Sequence, residues 1–261
     1  PNSENFSTLS PKVGLNYNFE QGVRLHTTIG KAFVPPSAGQ LAGYAETIVK
    51  GVTMITKGNP NLNPETSITY DLGVGYERPK WGLSMDITYF HTDVDDKITN
   101  VTVGNTTTYQ NTLSAEMEGL ETSLSFDIGA PINWDRSLSL FVNSTHIIKA
   151  EEEQTGGVMK DIHNVAEYTV NYGIQYDDGM VDGKLHFRRQ GPMKDRDWVT
   201  AGYPEIEYPS FMVADLVVGV TFLYNHKITM MVDNLFDKDY YEKKGYNKPG
   251  RAFYASYSYK F

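Results

Sequence analysis

The chain ends "GRAFYASYSYKF" (Gly250–Phe261), with aromatic rings recurring at two-residue spacing and a phenylalanine as the last residue. Termini of soluble domains are usually polar and fray. Side chains alternate across a strand, so here Phe253, Ala255, Tyr257, Tyr259 and Phe261 share one face, and Tyr254, Ser256, Ser258 and Lys260 the other. One face suits an apolar medium with tyrosines at its margin, and the opposite face suits water.

The same period runs through the chain. It recurs in "KVGLNYNF" (from Lys12), "GVRLHTTIG" (from Gly22), "SITYDLGVGY" (from Ser67), "GLSMDITYF" (from Gly82), "GLETSLSFDI" (from Gly119) and "SLSLFVNST" (from Ser137). It continues in "AEYTVNYGIQY" (from Ala166), "GKLHFRR" (from Gly183), "VADLVVGVTF" (from Val213) and "HKITMMVD" (from His226). With the closing segment this predicts eleven strands. The connections alternate strictly between short turns and long loops, the long ones at about 34–66, 94–115, 149–164, 190–210 and 236–250. That asymmetry belongs to an up-and-down antiparallel barrel with tight turns on one side of a membrane and large loops on the other. About ten residues per strand, tilted by about 45°, span an apolar band of roughly 25 Å.

Composition narrows the function. The 23 Lys+Arg against 32 Asp+Glu give a net charge of −9, which argues against nucleic acid as a partner. With no cysteine, disulfides, thiolate metal sites and a cysteine nucleophile are excluded. No apolar stretch reaches the 18 to 20 residues or so of a membrane-spanning helix. The best candidate, Phe211–Leu223, is short and carries Asp215. Neither a phosphate-binding nor a dinucleotide-binding glycine pattern follows any strand, and no zinc-type His-Glu-x-x-His occurs, so no enzyme and no cofactor is expected. Parity adds an expectation of completeness: eleven strands put the two ends on opposite sides, whereas bacterial single-chain barrels have even strand numbers. Residues 1–261 are therefore expected to be the C-terminal part of a longer barrel.

Four phrases, in order, then resemble one family. They are Phe33-Val34-Pro35-Pro36 after the second strand and "GNPNLNPETSITYDLGVGYE" (Gly58–Glu77). The third is the Tyr109, Asn111, Gly119, Glu121 pattern, and the fourth is the closing hairpin with Asn234-Leu235-Phe236 and Pro249-Gly250-Arg251. The chain resembles the TonB-dependent receptors of Gram-negative outer membranes. The resemblance implies an all-β, antiparallel transmembrane barrel of 22 strands, of which this chain would supply about 11, without the N-terminal plug and the first strands. It further implies TonB- and proton-gradient-driven uptake of a scarce large nutrient, most often a ferric siderophore. Partners would be the ligand, the TonB complex through the missing N-terminal part, outer-membrane lipid and the outer-membrane assembly machinery. Haem and cobalamin receptors, a passive porin-like channel and a soluble β-rich binding protein remain alternatives. Haem is disfavoured because residues 34–66 contain no histidine, leaving Tyr44 and Met54 as substitutes.

Candidate residues follow from this arrangement. Tyr44 and, in loop 190–210, Lys194, Arg196, Trp198, Tyr203 and Tyr208 offer aromatic and cationic groups suited to an anionic iron chelate. Arg24, His186, Arg188 and Asp215 are expected on the luminal wall as plug contacts, with a salt bridge from His186 and Arg188 to Asp215. Phe253, Tyr257, Tyr259 and Phe261 resemble the signal read by the assembly machinery. Asp93, Asp95 and Asp96 form a weak candidate for calcium, a solvated loop face being the stronger reading.

Overall fold

The computed structural model describes residues 6–154, 157–197 and 199–261. In chain order its strands are β1 (Lys12–Asn18), β2 (Val23–Val34), β3 (Tyr44–Val49), β4 (Val52–Lys57), β5 (Glu65–Arg78), β6 (Leu83–Val103), β7 (Thr106–Asp127), β8 (Ser137–Gln154) and β9 (Val158–Asp161). They continue as β10 (Tyr168–Asp177), β11 (Val181–Gln190), β12 (Met193–Arg196), β13 (Glu205–Tyr208), β14 (Phe211–Phe222), β15 (His226–Asp233), β16 (Tyr241–Lys243), β17 (Tyr246–Asn247) and β18 (Ala252–Tyr259). A five-residue helix, Ala38–Ala42, begins at Ser37, whose hydroxyl caps the Gln40 amide while the Gln40 side chain returns to the Ser37 amide.

Eleven of these strands form a wall in the order β1-β2-β5-β6-β7-β8-β10-β11-β14-β15-β18, each antiparallel to the next. They are the eleven read from the alternation. The sheet is open, with β1 and β18 as its edges, so the wall is part of a barrel. Register assigns its two faces. Arg24, Gly75, Asp86, Ser123, Asn143, Asn171 and Arg188 stand side by side in one row across seven strands. One residue along, Leu25, Val74 and Ile87 make the neighbouring row, and all three are exposed. The polar row lines the lumen and the apolar row faces lipid. In a single-layer wall, apolar side chains are satisfied by the bilayer rather than by a core. Most of the buried apolar residues, Leu62, Met193, Tyr208 and Phe211 among them, accordingly lie at the loop-side end.

The structure corrects two loop boundaries, one of them at 149–164, where β8 continues to Gln154 and pairs with β9. Residues 94–115, expected as a long loop, largely continue β6 and β7, which run 21 and 22 residues and turn at Gly104-Asn105. The Thr- and Val-rich alternation on both sides of Gly104-Asn105 favours a strand, and a bulge between Val94 and Lys97 absorbs Asp95-Asp96.

The Asn-Pro-Asn-Leu segment is a strap across this extended hairpin. Asn59 Nδ2 donates to the Tyr109 carbonyl at 2.8 Å. The Asn63 amide donates to Asn111 Oδ1 at 2.8 Å, while Asn111 Nδ2 donates back to the Asn63 carbonyl at 2.9 Å and to that of Asp96 at 2.7 Å. Leu62 is 3% exposed beneath it, and Glu65 Oε1 accepts from the Ile98 amide. Two of the resembling phrases are thus two halves of one clamp.

Candidate functional site

Arg24 on β2 and Asp86 on β6 are separated by β5, yet Arg24 Nη2 donates to Asp86 Oδ2 at 2.6 Å. His26 Nε2 approaches the same carboxylate at 3.1 Å, and the Thr88 hydroxyl donates to it at 2.9 Å. These side chains meet because β5 has no side chain in their way. A Cβ on Gly73 would stand 2.2 Å from His26 Cε1, and one on Gly75 would stand 2.7 Å from Asp86 Oδ2. The two-residue period puts Arg24 and His26 on the luminal face but does not single out Asp86 as their partner. The two-residue glycine spacing in "DLGVGY" (Asp71–Tyr76) was the available signal.

Further round the wall, the expected salt bridge is rearranged. His186 pairs with Asp215 in the register, with Nδ1 3.9 Å from Oδ2. Arg188 instead turns to the last loop, where its Nη1 donates to Glu242 Oε1 at 2.8 Å. Its guanidinium lies over the rings of Phe211 and Tyr240, at 5.2 and 5.8 Å from their centres. Asp215 Oδ1 accepts from the Asn234 amide at 2.9 Å. A loop carboxylate and two rings hold the guanidinium better than a strand neighbour already engaged elsewhere.

Three loops join at the rim. Lys194 on β12 donates to Asp161 of β9 at 2.5 Å, and its pKa is raised by that contact. His163 Nε2 lies 2.9 Å from Glu205 on β13, whose carboxyl is thereby held below its ordinary range. Tyr208 is 2% exposed and sets its ring edge-on to Tyr241 of β16, with centres 5.8 Å apart. Asp197 is fully buried. It accepts from Lys244 Nζ at 2.5 Å, from the Thr200 hydroxyl at 2.6 Å and from the Val199 and Thr200 amides at 3.0 and 3.1 Å. Lys244 first, then the Thr200 hydroxyl, hold its carboxyl far below the usual range.

The other candidates fall differently. Arg196 is exposed, forms no salt bridge among the described residues, and lines a cleft of about 400 Å³ with Lys160, His163, Glu151, Glu152 and Glu205. Tyr203 is exposed with a left-handed backbone (φ 48°), and Trp198 lies outside the described residues. Tyr44 stands on the β3–β4 hairpin, which joins β7 through Ile55 and Thr106 rather than the β12–β13 hairpin. Its hydroxyl donates to Glu46 at 2.5 Å, which raises its pKa. Asp93 is engaged with His91 Nε2 at 3.1 Å, and Asp95 and Asp96 sit in the β6 bulge. At the other end of the wall, Phe253, Tyr257 and Tyr259 pair with Val232, Ile228 and His226 on the lipid face, and Phe261 packs edge-on to Tyr259 at 4.9 Å.

The family model described as "TonB dependent receptor-like, beta-barrel" matches residues 1–235. The chain belongs to this family. Membership places it in the Gram-negative outer membrane, as β-barrel wall. It is 27% identical, over 99% of its own length, to a probable TonB-dependent siderophore receptor, PirA, of Acinetobacter baumannii. It is also 27% identical, over 78% of its length, to the ferric enterobactin receptor PirA of Pseudomonas aeruginosa. The chain spans only 39% and 29% of those two proteins. Among solved structures, the siderophore receptor PirA from A. baumannii superposes with a TM-score of 0.77 at 25% identity, covering 97% of this chain and 41% of that one. A mutant of the P. aeruginosa ferric enterobactin receptor PfeA in complex with enterobactin gives 0.76 at 21% identity, covering 97% and 40%, a likeness of fold.

Proposed function

We propose that this chain is the C-terminal part of the barrel of an outer-membrane receptor that takes up a ferric siderophore. It supplies wall and outer loops, and a plug elsewhere in the full protein gates the lumen. The carrying observation is the match along almost the whole chain to proteins named as siderophore receptors, on a wall whose register separates a polar luminal row from an apolar lipid row. In this reading the joined loops capture the chelate. Energy transmitted through TonB then moves the plug, and cargo passes through the lumen against the polar face that carries Arg24 and Asp86.

Arg196 is the rim cation we assign to the chelate. Lys194, Lys244 and Arg188 are held by Asp161, Asp197 and Glu242, whereas Arg196 has no carboxylate partner among the described residues. A charged hydrogen bond contributes about 1.5–3 kcal/mol, so Arg196→Ala should weaken binding roughly 10- to 100-fold. The test uses the full-length receptor in a Gram-negative strain lacking other siderophore receptors, with radioiron-labelled enterobactin as probe. Saturable uptake that stops when TonB is deleted is expected. Uptake that persists without TonB would make the protein a passive channel. Absence of binding to enterobactin and to other ferric siderophores would overturn the assignment.

A further inference from the structure

The outward face of β6 and β7 carries a cluster that the uptake reading does not use. His91, Glu118 and Lys149 stand side by side in one register row, with Tyr70 on the other flank of His91. Asp93, Glu116 and Glu151 make the next row towards the loop end. His91 has the parity of Ile87, which faces lipid, and not that of Asp86, which faces the lumen. It is nevertheless only 9% exposed, with its ring stacked on Tyr70 at 4.9 Å.

The ring is oriented by what surrounds it. Nε2 lies 3.1 Å from Asp93 Oδ1, while Nδ1 lies 3.4 Å from Glu118 Oε2 and 3.9 Å from Glu116 Oε1. With the Nε2 proton donated to Asp93, Nδ1 presents a lone pair to two carboxylates, and three electron-pair donors converge. One donor atom from each of His91, Glu116 and Glu118 lies within 4.8 Å of the others, and among the described residues this is the one such group of three. Tetrahedral ligands at about 2.0–2.1 Å from zinc sit about 3.3–3.4 Å apart. Nδ1 and Glu118 already have that spacing, and Glu116 Oε1 stands 3.9 Å from Nδ1. Tyr89 and Lys149 steady the carboxylates, donating to Glu118 at 2.5 Å and to Glu116 at 2.8 Å. With neutral His91, the charges of Asp93, Glu116, Glu118, Glu151 and Lys149 sum to −3, a negative field that favours a divalent cation.

We propose that His91, Glu116 and Glu118 bind a divalent transition-metal ion of the zinc class, with Asp93 as the positioning residue that holds the imidazole in its ligand form. An imidazole nitrogen beside carboxylate oxygens selects zinc-type ions over calcium and magnesium, which take all-oxygen shells. The ion would pin β6 to β7 at the base of their extended hairpin. The site lies on the face opposite the transport path, so it stands or falls independently of the siderophore reading.

The purified full-length receptor is titrated with Zn²⁺ by calorimetry, beside its H91A, E118Q and D93N variants, each checked for heat-modifiable migration as a sign of a folded barrel. One fewer Zn²⁺ bound in both H91A and E118Q supports the site, as does a thermal midpoint raised by Zn²⁺ in the wild type alone. D93N should weaken binding about 10- to 100-fold while keeping the stoichiometry. Should H91A misfold, the near-isosteric E118Q decides alone. Wild-type stoichiometry and affinity in the folded variants, no Zn²⁺ bound by the wild type, or tighter binding of Ca²⁺ than of Zn²⁺ would each overturn it.

Discussion

Asn234 closes the last long loop, and replacing it should open that loop measurably. Its side chain makes three hydrogen bonds to backbone: Nδ2 donates to the carbonyls of Lys238 at 2.8 Å and Pro249 at 3.3 Å, and Oδ1 accepts from the Lys238 amide at 2.8 Å. The residue is 5% exposed and its backbone is left-handed, at φ 49°. Three net hydrogen bonds at about 1 kcal/mol each, plus about 1 kcal/mol for a left-handed alanine, put Asn234→Ala at roughly 3–4 kcal/mol of local opening free energy. Asn234→Gly loses the same bonds without the backbone strain and should cost about 1 kcal/mol less. Amide exchange followed by mass spectrometry on the full-length receptor reads this directly. Peptides covering residues 234–251 should exchange at least a hundredfold faster in the alanine variant, since about 1.4 kcal/mol is a factor of ten. The glycine variant should fall roughly fivefold short of that. Exchange within threefold of wild type for alanine, or a glycine variant more open than alanine, would refute the reasoning.

Two further outcomes follow from the wall and the rim. Gly75→Ala would drive a Cβ to 2.7 Å from Asp86 Oδ2 and 3.0 Å from Arg24 Nε, so it should weaken the Arg24–Asp86 pair and lower the thermal midpoint of the intact barrel. Gly14→Ala, whose Cβ meets only ordinary contacts at 3.6 Å, is the control, and equal midpoints for the two would refute the close-approach argument. The depressed pKa of Asp197 sets a pH window. A lowered folded pKa means stabilisation that is complete above the unfolded value of about 3.9 and lost as pH falls through the folded value. Protection of the Val199 and Thr200 amides, corrected for intrinsic exchange, should therefore stay flat from about pH 7 to about pH 4. Lys244→Met, which removes the largest cause of the shift, should move the loss to higher pH; an unchanged profile would refute Lys244 as that cause.

The wall was legible because a membrane imposes a two-residue period on every strand, and register then follows from turn lengths. The loop-side ends were less so. Asp95-Asp96 reads as a loop, but a bulge lets β6 pass through it to the Val101–Val103 alternation, and periodicity alone does not reveal a bulge. Partners across a skipped strand were illegible for a related reason. Arg24 reaches Asp86 only because Gly73 and Gly75 leave β5 bare, so the pairing is carried by residues without side chains. The resembling phrases gain a physical meaning. Asn63 and Asn111 are far apart in sequence but exchange hydrogen bonds. Asn234-Leu235-Phe236 and Pro249-Gly250-Arg251 are the two lips of one loop. Asn234 bonds the Pro249 carbonyl, and Asp237 Oδ1 accepts from the Arg251 amide at 2.8 Å, with Gly250 leaving room for that carboxylate. The side chains of Asn59, Asn111 and Asn234 in these phrases bond backbone. They hold the loops in place, while the residue assigned to the chelate, Arg196, lies in none of the four phrases. On the proposed uptake reading, the residues that fix the rim's shape and the residue that meets the chelate are therefore different ones, so Arg196→Ala should weaken binding without opening the loops that Asn59, Asn111 and Asn234 hold.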